Sequence, residues 1–167
     1  MRNLSLVALL TLCLAVPAWA QAKPKLLGQF DDWEAFSATE DGATICYMGS
    51  QPKKSEGKYT KRGRVALLVT HRPKDKERGI VSITTGYTYK KESVAKAVIG
   101  DVAFDMFTNG EHAFVEEGRD PELVNAMIRG VDMVVTGTSS RGTKTTDTYS
   151  LKGFTAAWKA IGNACKS

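Results

Sequence analysis

The chain has 167 residues and a net charge of +5, from 23 Lys and Arg against 18 Asp and Glu; this is one domain's worth of sequence and enough for a real core. It holds two histidines, His71 and His112, and no Cys-x-x-Cys, so a metal centre is not expected. No internal repeat has solenoid or propeller spacing, and after the first twenty residues no segment is long and apolar enough to cross a bilayer.

The first element is MRNLSLVALLTLCLAVPAWA. Arg2 supplies a positive start, residues 4–16 an apolar stretch, and Ala18-Trp19-Ala20 a small-x-small site. That pattern predicts a secretory signal peptide over residues 1–20, cleaved after Ala20. Bulky Leu12 stands before Cys13 where a lipoprotein needs a small residue, so Cys13 is expected to leave with the signal. Arg2 is the only charge removed, which leaves a single domain over residues 21–167 with net charge +4. Its expected place is the periplasm or the outer surface. Export also disfavours nucleic acid as a partner. In an oxidising compartment the two remaining cysteines, Cys46 and Cys165, are expected to pair. Such a bond closes a loop of about 120 residues, worth up to roughly 4–5 kcal/mol on the chain-entropy view.

Residues 33–37 alternate large with small or polar side chains, 40–42 (EDG) mark a turn, and 44–48 continue as a strand carrying Cys46. Residues 53–64 (KKSEGKYTKRGR) read as a long surface loop. Residues 64–71 (RVALLVTH), bounded by Gly63 and Pro73, predict a strand buried on both faces. Residues 80–89 (IVSITTGYTY) are rich in β-branched and aromatic side chains, and 93–98 alternate. Residues 102–107 and 112–115 flank Thr108-Asn109-Gly110, a hairpin signal. Asp120-Pro121-Glu122 starts a helix, with Asp120 as cap, Leu123 and Met127 on one face, and Gly130 at its end.

Residues 131–138 and 143–151 form the arms of a hairpin, with Ser139-Ser140-Arg141-Gly142 as the turn. Thr145 and Asp147 fall on one face; Thr146, Thr148 and Ser150 fall on the other. Finally Phe154, Trp158, Ile161 and Cys165 make one stripe of a helix. That stripe turns Cys165 inward, a second reason to expect its bond to Cys46. Many short strands, two short helices and no βαβ alternation predict an all-β antiparallel sandwich with one or two helices.

Several motifs then carry a family resemblance. They are Phe30-x-x-Trp33, Cys46-Tyr47 with Ser50-Gln51-Pro52, Leu68-Val69-Thr70-His71-Arg72-Pro73, and Gly86-Tyr87-x-Tyr89. Ser140-Arg141-Gly142-Thr143, Asp147-Thr148-Tyr149-Ser150-Leu151-x-Gly153-Phe154 and the last helix with Cys165 complete the set. Together they resemble the invasion-associated locus B family of secreted alphaproteobacterial proteins, over almost the whole exported chain. The resemblance implies an immunoglobulin-like β-sandwich in the envelope or at the outer surface, and a role in host-cell entry or with an envelope partner. It implies no catalytic residues.

The chain's own residues offer little to catalysis. A triad would draw on Ser139 or Ser140, His71 or His112, and Asp147, but no G-x-S-x-G elbow is present. Asp31-Asp32 and Glu116-Glu117 are sequence neighbours, which in strands point to opposite faces, whereas glycosidases need two carboxyls on one cleft. No catalytic residue and no cofactor is therefore expected. The basic loop is the stronger feature: Lys53, Lys54, Lys58, Lys61, Arg62 and Arg64 face a single acid, Glu56. It is a candidate for polyanions such as an anionic glycan or lipid headgroup. Arg141 at the hairpin tip, with Tyr87 and Tyr89, is a candidate partner contact. The expectation is an exported protein that binds an unknown protein or anionic surface. The competing expectations are a periplasmic structural or chaperone-like factor and a hydrolase.

Overall fold

The computed structural model describes residues 23–166; the expected signal peptide and its cleavage site lie outside them. In chain order the strands are β1 (Lys25–Phe30), β2 (Trp33–Glu40), β3 (Ala43–Ser50), β4 (Lys54–Gly57) and β5 (Ala66–Arg72). A 3-10 turn (Pro73–Asp75) leads to β6 (Glu77–Thr84), β7 (Val94–Ile99), β8 (Val102–Asn109) and β9 (His112–Phe114). Helix α1 (Asp120–Arg129), β10 (Asp132–Thr138), β11 (Lys144–Ser150) and helix α2 (Phe154–Cys165) complete the chain.

The antiparallel β-sandwich with a C-terminal helix is built as one continuous ladder. Its order is β1-β2-β3-β5-β6-β9-β8-β7-β10-β11-β4. The first five strands make one half and the last six the other, joined where β6 meets β9. Alternation along each strand sends every second side chain to one face. Trp33, Leu67 and Ile83 from the first half share a single core with Phe104, Met133 and Tyr149 from the second. Each such side chain contributes about 1.5–3 kcal/mol through burial.

Both helices press their apolar stripes into the same core. Phe154, Ala157 and Ile161 of α2 are fully buried, and Phe154 meets Trp33 edge-on at 5.0 Å between centroids. Gly153 starts α2 at φ 89°, and a Cβ there would lie 1.9 Å from the Phe30 carbonyl oxygen. Only glycine permits that crossing. At the far end of α2, Cys165 is bonded to Cys46 of β3, with their Cα atoms 5.9 Å apart.

Four local expectations change. Strand β5 is fully buried on one face only beyond its first residue: Leu67, Val69 and His71 face the core while Leu68 and Thr70 on the other face are partly exposed. The stretch 80–89 is not one strand; β6 stops at Thr84, Gly86 takes φ 69°, and Tyr89 rejoins the sheet through a lone bridge to Ser139. The basic stretch 53–64 contains β4, which pairs with β11 from Thr145 to Thr148. Asp120 does not cap α1, whose N-cap is Arg119 without a side-chain bond. Instead Asp120 is buried, and its Oδ1 accepts the Val81 N–H at 2.7 Å. Burial raises its pKa against that hydrogen bond. The helix is thereby tied to β6.

The β8–β9 hairpin forms as expected, though Asn109 pairs with His112 and the loop is Gly110-Glu111. Gly110, at φ 59°, supplies the positive dihedral that such a two-residue turn needs.

Candidate functional site

Asp147 lies on the inward face of β11, so its charge needs a partner. The partner is Arg62, 85 residues away in sequence: Nη1 donates to Oδ1 at 2.8 Å and Nη2 to Oδ2 at 2.6 Å. Both side chains are almost fully buried, at 6 % and 1 % exposure. Arg62 Nε donates to the Thr85 carbonyl at 2.6 Å, and Ser55 Oγ donates to Asp147 Oδ1 at 2.7 Å. Burial opposes the charge on Arg62, but the Asp147 carboxylate outweighs it and holds the guanidinium above its ordinary pKa. The guanidinium also sits over the rings of Tyr59 and Tyr87, 5.4 and 5.2 Å from their centroids.

This pair anchors the segment between β4 and β5 against the rest of the molecule. Beside it, the Gly63 N–H donates to the Gly86 carbonyl at 2.8 Å. A Cβ on Gly86 would lie 2.5 Å from Gly63 backbone atoms, at a positive φ, so the two chains touch because both are glycine. Tyr87 completes the wall, its hydroxyl 2.7 Å from Thr145 Oγ1.

The anchored segment, the 86–88 loop and the β10–β11 turn enclose a cleft of about 440 Å³. Lys58, Tyr59, Lys61, Tyr87, Ser140 and Arg141 are among the residues that line it. Among the described residues no acid lines it. The structure thus brings together Lys58, Lys61, Arg62, Tyr87 and Arg141, which lie in separate stretches of the sequence.

The other candidates go elsewhere. Lys53 is ion-paired with Asp32, and Lys54 with Glu56 at 3.0 Å. Lys53 and Arg64 border a separate groove that also holds Asp31, Asp32 and Glu34. Tyr89 is 4 % exposed, a core residue packed edge-on to Tyr87 at 5.4 Å, so the two tyrosines form no exposed ladder. Burial pushes the phenols of Tyr89 and Tyr149 well up. Tyr59 is a cleft residue absent from the sequence candidates, and Ser140, considered there only as a nucleophile, lines the same cleft; a lone aromatic within a lysine- and arginine-rich stretch was the signal for Tyr59.

The hydroxyls, histidines and acid that a triad would need do not converge. Ser139 Oγ accepts the Thr143 N–H at 3.1 Å inside its own turn. Exposed His112 lies 3.2 Å from Thr84 Oγ1, and Asp147 is committed to Arg62. Among the described residues no group of three His, Cys, Asp or Glu side chains is placed to hold a metal ion.

His71 is fully buried. Its Nδ1 accepts the Gly79 N–H at 2.9 Å, so the ring is neutral with its proton on Nε2. The edge of the ring meets Trp158 at 4.7 Å. Burial, then nearby Arg78, lowers its pKa from the ordinary 6.5. The unfolded chain therefore takes up this proton first, and stability falls as pH drops through 6.5. One linked proton gives about 1.4 kcal/mol per pH unit. Urea unfolding at pH 7.5 and at pH 5 should differ by up to about 2 kcal/mol from this group, and His71→Gln should flatten the dependence.

The family model described as "Invasion associated locus B (IalB) protein" matches residues 33–162. The crystal structure of invasion associated protein B from Bartonella henselae is similar, with a TM-score of 0.61 and 16 % identity. That match covers 87 % of this chain and 98 % of the other; at this identity the likeness is one of fold. No curated protein matches the sequence.

Proposed function

This chain belongs to the invasion associated locus B family, and from that membership we propose that it is an exported protein that acts by binding, at the cell envelope or against a host cell. The observation that carries this reading is the charge of the cleft. Lys58, Lys61 and Arg141 have no ion-pair partner among the described residues, while the fourth cation, Arg62, is already neutralised by Asp147. Three uncompensated cations around hydroxyls and half-exposed tyrosine rings suit sulfate, phosphate or carboxylate groups displayed on a glycan or lipid. Tyr59, 37 % exposed, adds a flat apolar face beside the charges.

Heparin chromatography tests this. The exported protein should be retained and elute with salt, because solvent-exposed charge contacts are screened. Lys58→Glu, Lys61→Glu and Arg141→Glu together should abolish most of the retention. Reversing Lys53 and Lys54, whose charges are matched locally, should change it much less. Elution of the triple variant at the wild-type salt concentration would show the cleft reading to be wrong.

A further inference from the structure

We propose that the end of the molecule bearing this cleft is a docking face for an anionic lipid bilayer; the proposal rests on the cationic reading of the cleft and adds the surface it meets. Strand register puts an apolar row on the outer face at that end. Val94 of β7 pairs with Phe107 of β8, and Phe107 pairs with Phe114 of β9. The two phenylalanine rings stack at 5.6 Å between centroids. Val94 is 61 % and Phe107 51 % exposed, because their neighbours Ala95 and Met106 occupy the core positions of the same strands. Exposed apolar residues scattered singly need no explanation. Two on adjacent strands, backed by the Phe114 ring and next to a cation cluster, do.

The cations are placed by backbone hydrogen bonds that bind the connections at this end together. The Tyr89 N–H donates to the Gly110 carbonyl at 2.8 Å, Lys90 N–H to Thr138 at 2.9 Å, and Ser140 N–H to Thr88 at 2.8 Å. Lys90 and Lys91 therefore stand between the apolar row and the cleft. On the far side, Gly57 pairs with Thr145, which sets Lys58 near Lys144. Lys58, Lys61, Lys90, Lys91, Arg141 and Lys144 are all exposed, and none has an ion-pair partner among the described residues. The acids at this end are Glu92 and Glu111; one row further along, Asp105 is held by Lys96 and Glu56 by Lys54.

Charge complementarity selects the occupant. Six flexible cations spread over three connections match a diffuse sheet of headgroups better than a shaped counter-surface. Two exposed apolar side chains are far less than the roughly 800 Å² that each partner of a stable protein pair buries. They suffice to enter the interface between headgroups and acyl chains once charge has brought the protein there.

The test is co-sedimentation of the exported protein with phosphatidylcholine vesicles containing about 30 % phosphatidylglycerol, against pure phosphatidylcholine. Binding is expected to the anionic vesicles only, and should fall with added salt. Val94→Ser with Phe107→Ser should weaken it about tenfold while leaving heparin retention unchanged. Phe107→Trp should shift its emission to the blue on the anionic vesicles. Heparin retention without vesicle binding would overturn the docking face and leave the cleft reading intact, whereas failure of both would remove both. Unchanged vesicle binding by the Val94/Phe107 variant, equal binding to neutral vesicles, or self-association that this variant abolishes would each overturn the proposal.

Discussion

Replacing Asp147 with asparagine should lower the free energy of unfolding by about 3–5 kcal/mol, read as a shift in urea midpoint, because it strands a buried guanidinium. Arg62 would keep the Thr85 carbonyl and one acceptor oxygen but lose the countercharge and the second carboxylate bond, at a site where its side chain is 6 % exposed. Ser55 would then compete with Arg62 for the single remaining oxygen. Arg62→Ala should cost a similar amount by leaving the carboxylate unpaired. Combining Arg62→Leu with Asp147→Leu should recover much of either loss, since a buried ion pair and an apolar pair of like volume are often close in free energy. It should not recover heparin retention, because Arg62 also holds Lys58 and Lys61 in place. Stability and binding then separate in one set of proteins, and additivity of the two single losses would refute the pairing.

Cys46→Ala with Cys165→Ala should cost up to about 4–5 kcal/mol, mainly by releasing a closed loop in the unfolded chain. Reductant added to the wild type should do the same. Phe154 and Ile161 remain buried in either case, so α2 should stay docked in native conditions, with faster amide exchange confined to its last turn. Non-reduced peptide mapping should show the two cysteine peptides joined; two alkylatable thiols in protein purified without reductant would contradict this.

What could be read from the sequence was mostly local. The stripe Phe154, Trp158, Ile161, Cys165 has helical period and names its own inward face, so α2 and the direction of Cys165 follow from spacing alone. The face shared by Thr145 and Asp147 was equally legible, and that face proved to be the buried one. The partner of Asp147 was not legible. Nothing near Arg62 distinguishes it from Lys61 or Arg64, and only the pairing of β4 with β11 brings it to the carboxylate. The same composition hid β4 itself, since a four-residue edge strand of Lys, Ser, Glu and Gly has no apolar period to detect. Asp120 departs from expectation for a related reason: its position suits a cap, but the free Val81 N–H on a strand 39 residues earlier competes for the same carboxylate.

That short strand has one more effect. Among the described residues the ladder of eleven strands does not close, and an open margin offers N–H and C=O groups to any passing extended chain. At one margin β1 carries a register break between Leu26 and Gly28, which spoils it as a template. At the other, the threonine-rich β11 would be a flat surface well suited to fibril-like addition. There β4 lies across it, only four residues long, with Lys54 and Glu56 on its rim, and Ser55 and Arg62 both fastened to Asp147. The salt bridge that shapes the cleft thus also holds this short, charged strand along the edge of β11.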